Sequence, residues 1–134
     1  MRIAINTRFL IKDKLEGMGW HNYELCRELV RQHPDDEFLF LFDRPFDRAF
    51  LFGDNVRGVV LPPPARRPLL WQLWFDWAIP AYFRCWQPDV FFSPDGYCSL
   101  RTQVPTLMLA HDLAYLHYPA QIPAWGLRYY QKYI

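Results

Sequence analysis

Phe38-Leu39-Phe40-Leu41-Phe42 contains no polar side chain. A strand with one face in water alternates polar and apolar residues, so an unbroken apolar run marks a strand covered on both faces, as in a parallel sheet flanked by helices. Working back from it, Pro34-Asp35-Asp36 is a turn, and His33-Pro34 ends a helix because the residue before proline is pushed out of the α region. That helix reads from Trp20 to His33. Tyr23, Leu25 or Cys26, Leu29 and Val30 form its apolar face, with Glu24, Arg27, Glu28 and Arg31 opposite. Before it stand a short apolar strand, Ile3-Ala4-Ile5, and a polar loop from Asn6 that closes on Gly17-Met18-Gly19.

Downstream of the central run the pattern repeats. Phe46 to Phe52 reads as a short helical turn, Val56 to Leu61 as a weaker strand, and Pro62-Pro63-Pro64 as a stiff connector. A tryptophan-rich segment, Leu69 to Ile79, lies in a helix expected over Pro68 to Phe83. Such a helix rises only about 24 Å and holds Gln72, Asp76 and Pro80, which is too short and too polar for a bilayer span. It is expected to be buried on the sheet, with contact to lipid headgroups through the tryptophans and Arg66-Arg67 as the alternative. Gln87-Pro88-Asp89 closes it. Val90-Phe91-Phe92 is a fourth strand ending in the turn cluster Ser93-Pro94-Asp95-Gly96, and Thr106 to Ala110 is a fifth ending at His111-Asp112. Pro123 to Ile134 opens a helix that meets no capping residue, so the chain reads as a truncated piece of a longer protein.

Five short strands alternating with crossovers predict an α/β fold, a doubly wound, Rossmann-like parallel sheet. The composition agrees: 51% hydrophobic and 22% charged residues suit a packed globule, and 134 residues suit one domain. A net charge of +1, with no basic run, gives no electrostatic case for nucleic acid. Cys26, Cys85 and Cys98 are odd in number and far apart, which argues against a disulfide framework or a zinc site. With no signal-peptide core at the N-terminus, a cytoplasmic location is expected.

Ligands of such sheets bind beyond the carboxyl ends of the strands, where the strand order reverses. Three polar clusters fall there: the loop from Asn6 to Gly19, Ser93 to Tyr97, and His111-Asp112. Gly17 and Gly19 beside a helix N-terminus are suited to a phosphate, because glycine lets the backbone approach closely and the helix end is partly positive. A nicotinamide dehydrogenase is one reading, with Asp43 as the ribose-binding acid. The glycines lie too far from the strand for it, and Asn22 takes the place of the third glycine, leaving Asp43 as a solvated strand end. A metal or hydrolytic site on His111, Asp112 and His117 matches no ligand spacing, and no nucleophile elbow accompanies it.

Taken in order, the clusters resemble the N-terminal domain of glycosyltransferase family 4. The matching stretches are Arg2 to Asn6, Gly17-Met18-Gly19 leading into Tyr23 to Leu29, Pro34 to Phe38, Gln87 to Pro94, and Pro105 to Leu113. The resemblance implies half of a two-domain GT-B enzyme that moves a sugar from a nucleotide-sugar donor to an acceptor with retention of configuration. It also implies that no metal or cofactor is needed, that the acceptor is a sugar or a lipid-linked molecule, and that a C-terminal donor-binding domain is absent from residues 1–134. A fragment of that kind is expected to be inactive alone. Carried onto this chain, Gly17 and Gly19 would face the donor phosphate and His111 the transferring sugar. Asn6, Ser93, Asp95, Gly96, Tyr97 and Asp112 would form the acceptor side of the cleft. Phe92-Ser93-Pro94 departs from the relatives' His-Ser-Pro and loses a polar contact. The alternative from another class is a non-catalytic α/β module that binds a ligand or partner. Replacement of Gly19 by valine is expected to lower turnover far more than stability.

Overall fold

The computed structural model describes residues 1–133, so Ile134, the last residue of the expected C-terminal helix, lies outside it. The chain runs β1 (Arg2–Asn6), α1 (Gly17–Gln32), β2 (Glu37–Phe42), a 3-10 turn (Arg48–Phe50) and β3 (Val56–Val60). Then come α2 (Pro68–Leu73), a π turn (Trp74–Ala78), α3 (Ile79–Trp86), β4 (Val90–Ser93) and β5 (Thr106–Met108). It finishes with α4 (Ala114–His117), a second 3-10 turn (Pro119–Gln121) and α5 (Ala124–Tyr133). The five strands form one sheet in the order β3-β2-β1-β4-β5, every pair parallel.

The apolar run earns its place in the middle of this sheet. Phe38, Leu39, Phe40, Leu41 and Phe42 are each at most 1% exposed, because alternate residues enter two different cores. Phe38, Phe40 and Phe42 pack with Ile5 and with Cys26 and Val30 of α1. Leu39 and Leu41 pack on the other face with Ala4, Phe91 and the helix that runs through α2 and α3. Each such side chain contributes roughly 1.5–3 kcal/mol by leaving water. Burial on both faces is what makes the sheet doubly wound.

The tryptophan-rich helix continues to Trp86, three residues beyond the sequence expectation, and is not uniform. The Ile79 N–H donates to Trp74 O, a five-residue step that inserts one extra residue into the helix. Three of its four tryptophans meet different surroundings. Trp74 is fully buried and donates its ring N–H to Leu61 O at 2.9 Å. Trp71 stacks on Tyr97, while Trp77 is 56% exposed.

β5 is shorter than the expected run from Thr106 to Ala110. Leu109 still donates to Ser93 O at 3.1 Å, and beyond it the strand pairing ends. There the His111 ring meets Pro94 O. α1 begins at Gly17 instead of Trp20, so both glycines sit inside its first turn.

Candidate functional site

The strand order reverses between β1 and β4, and the carboxyl ends of these neighbours carry Asn6 and Ser93. The Asn6 side-chain amide donates to the Ser93 hydroxyl at 3.0 Å, and that hydroxyl donates to Asp95 at 3.2 Å. Asp95 also accepts the Tyr97 backbone N–H at 3.2 Å and holds the Arg8 guanidinium. Arg8 and Asp95 are each 4% exposed, so this ion pair is buried at the topological switch point.

Arg8 is fixed further by Ala65 O, to which it donates at 3.2 Å, and by the faces of four rings: Phe9, Trp71, Phe75 and Tyr97. A buried guanidinium is tolerated because a carboxylate balances its charge and π faces replace part of its hydration. Gly96 follows at φ 81°, a left-handed conformation that glycine adopts without strain. It lets the chain turn from Asp95 into Tyr97. Burial, and then a hydrogen bond with Tyr130, raises the Tyr97 phenol well above its usual range, so it stays a neutral, stacked ring.

Above this floor lies a cavity of about 640 Å³. Trp71, Tyr97, Tyr115 and Tyr130 give it an aromatic wall, and Arg66, His111 and Asp112 stand at its polar rim. The His111 Nε2 lies 2.6 Å from Pro94 O. A carbonyl only accepts, so Nε2 carries the proton and, in the neutral ring, Nδ1 is left as the acceptor. His21 of α1 packs edge-on against the same ring at 5.6 Å. Asp112 accepts the Ala114 N–H at 3.0 Å and so shapes the entry to α4.

A second hollow, about 350 Å³, adjoins the first and shares Phe9, Met18 and Arg66 with it. Ile11, Lys14, Glu16, Gly17 and Gly19 complete it. Glu16 gives no side-chain hydrogen bond to the first-turn amides of α1, which keeps those donors free for another acceptor. The two glycines differ. A Cβ on Gly17 would meet nothing within 4 Å, whereas one on Gly19 would lie 3.1 Å from Phe9 O and 3.4 Å from Leu15 Cδ2. Gly19 therefore lets the loop pack onto the helix, and Gly17 leaves the approach open.

All nine sequence-derived candidates reach this edge. Asn6 and Ser93 lie in the buried network beneath it, while Gly17, Gly19, Asp95, Gly96, Tyr97, His111 and Asp112 line one of the two hollows. Asp43 is not the solvated strand end expected. It is 1% exposed, accepts the Ala65 N–H at 2.9 Å and pairs with Arg66 at 3.1 Å and Arg44 at 3.2 Å, which fixes the connector after β3. Asn22 is fully buried on α1, and its amide finds no hydrogen-bond partner among the described residues. Among those residues, no three His, Cys, Asp or Glu side chains gather as a metal set would require.

Sequence reasoning missed Arg8, Arg66, Trp71, Tyr115 and Tyr130. For Arg8 a signal existed: a lone arginine just past one strand end, and an aspartate just past another. Only the strand order makes them partners. Neither curated proteins nor solved structures give a significant match. Residues 15–134, which hold α1 and every later element, match Glycosyltransferase Family 4. A match over that much of the chain establishes that it belongs to glycosyltransferase family 4.

Proposed function

We propose that this chain forms the acceptor side of a retaining glycosyltransferase that uses a nucleotide-sugar donor, with the remainder of the donor site on a second domain. The observation that carries the reading is the meeting of two hollows at one sheet edge. One is bordered by uncapped helix amides, Lys14 and Arg66, and the other is walled by aromatic rings. The first suits a diphosphate. The second suits a sugar or lipid-linked acceptor, whose ring faces stack on aromatic side chains.

In the reaction, the bond between the anomeric carbon and the donor phosphate oxygen breaks as the acceptor oxygen bonds to that carbon on the same face. The acceptor's proton passes to the departing phosphate. Negative charge grows on the phosphate, and on this reading the Gly17 and Met18 amides stabilise it without a metal. His111 stands on the sugar side, through its ring acceptor or its backbone carbonyl. The enzyme works in the cytoplasm, at the inner face of the membrane when the acceptor is lipid-linked. Among the described residues no helix is long and apolar enough to cross a membrane.

Titration of the isotopically labelled chain with uridine or guanosine diphosphate tests the phosphate site. Saturable amide shifts centred on Gly17 and Met18 are expected. Shifts confined to other regions, or none at millimolar ligand, would overturn the assignment and favour a non-catalytic module. Saturable binding of NAD centred on Asp43 would favour the dehydrogenase reading.

A further inference from the structure

The outer face of the tryptophan-rich helix takes no part in the cavity or the core. Leu69, Leu73 and Trp77 recur every fourth residue along it and are 68%, 39% and 56% exposed. Leu100, 50% exposed, belongs to the neighbouring loop, whose backbone is tied to this helix by the Leu100 N–H donating to Asp76 at 2.9 Å.

The charge around this row has one sign. The Arg101 guanidinium lies 4.2 Å over the Trp77 ring, and with Arg84 it borders a shallow groove that also includes Pro80 and Ala81. Arg67 is exposed at the head of the helix. The groove's own acid, Asp76, is 4% exposed and faces inward to Leu100 N. From Arg57 to Tyr133 the exposed acids are Asp89, at the amino edge of the sheet where it accepts the Arg2 N–H, and Asp112, at the rim of the aromatic cavity.

We propose that this face docks on a bilayer surface bearing anionic headgroups. An apolar row about one helix wide, carrying a tryptophan at its edge and arginines along its border, suits the headgroup boundary, where the rings and leucines enter the acyl margin and the guanidinium groups meet phosphates. Trp71 of the same helix lines the aromatic cavity. On the transferase reading, a lipid-linked acceptor could then enter without leaving the membrane. The docking itself does not depend on that reading.

Co-sedimentation of the 134-residue chain with phosphatidylcholine vesicles, with and without about one third phosphatidylglycerol, tests it. Binding to the anionic vesicles should be at least tenfold stronger than to the neutral ones, and should collapse at about 0.5 M salt, where the Debye length falls to a few Å. Arg84→Glu with Arg101→Glu should weaken binding by tenfold or more, at roughly fivefold per removed cation. Leu73→Ser with Trp77→Ser should abolish it. All four positions are exposed, so circular dichroism and the urea midpoint should match wild type and exclude misfolding as the cause. Failure to sediment with anionic vesicles, or binding that ignores both pairs of substitutions, overturns the proposal. So does a dimer in sedimentation analysis that Trp77→Ser dissolves, which would make a second copy the occupant.

Discussion

The floor and the rim of the carboxyl-edge site use the same residue types in opposite ways. In the floor, Asn6, Arg8, Ser93 and Asp95 are nearly devoid of solvent contact and bond to one another in a closed chain. At the rim, Gly17, Met18, His111 and Asp112 are exposed, and each of the two side chains that can hydrogen-bond makes one hydrogen bond. Polar groups that satisfy each other fix geometry. Those left with free capacity can serve a ligand. The polar residues at this switch point thus divide into a buried scaffold whose bonds are closed on one another and an exposed margin with hydrogen-bonding capacity to spare.

The hardest test of this division is the buried ion pair. Asp95→Ala strands a guanidinium in an aromatic enclosure, and loss of one partner of a buried pair costs about 3–5 kcal/mol. Urea unfolding should show it as a large fall in midpoint. The double variant Arg8→Met with Asp95→Leu should recover most of the loss, since removing both charges also removes their desolvation. A single-variant cost below about 1 kcal/mol would mean that Arg8 turns out to solvent, and the floor would not be a scaffold.

The two glycines, two residues apart, sharpen the boundary. Valine at Gly19 must displace the backbone of Phe9 or the Leu15 side chain, a mismatch of the kind that costs about 1–3 kcal/mol. Alanine at Gly17 meets open space and should be neutral or stabilising by up to about 1 kcal/mol, because glycine is the poorer helix former. This shifts the expectation drawn from the sequence, where Gly19→Val was to report on turnover with little effect on folding. The structure makes Gly17→Val the cleaner probe of the phosphate approach. If thermal unfolding ranks the two positions the other way, the packing assigned to Gly19 is wrong.

These cases also show what the sequence could carry. The sheet was legible because Phe38 to Phe42 states its environment locally: five apolar residues in a row require two covered faces whatever lies elsewhere. The same holds for the position of the site, since Asn6, Ser93 and His111 each follow an apolar run directly. The division into floor and rim was not legible. Arg8 and Asp95 are 87 residues apart, and nothing local distinguishes an aspartate that binds an arginine from one that faces water. Asp43 was misjudged for that reason, because its partner Arg66 lies 23 residues on, beyond β3. The π turn escaped too. Any helical template reads Trp71, Trp74 and Trp77 as one drifting stripe, and nothing local says that they meet cavity, core and surface in turn.

The smallest structural effect should come from His111, and that is why it is informative. Its ring is held by one hydrogen bond at an exposed position, so His111→Ala should cost no more than about 1 kcal/mol in urea unfolding. On the proposed transferase function, the same substitution should lower turnover by about a hundredfold, the loss usual for one group that stabilises developing charge. Diphosphate-induced shifts at Gly17 and Met18 should survive it, because the proposal sets the histidine beside the sugar and not the phosphate. His111→Asn separates its two modes of action. If the backbone carbonyl does the work, asparagine keeps the chain path and turnover stays near wild type. If the ring acceptor does it, turnover falls as far as with alanine. A large loss of stability in either variant would place His111 in the scaffold, and the line between floor and rim would have to be redrawn through β5.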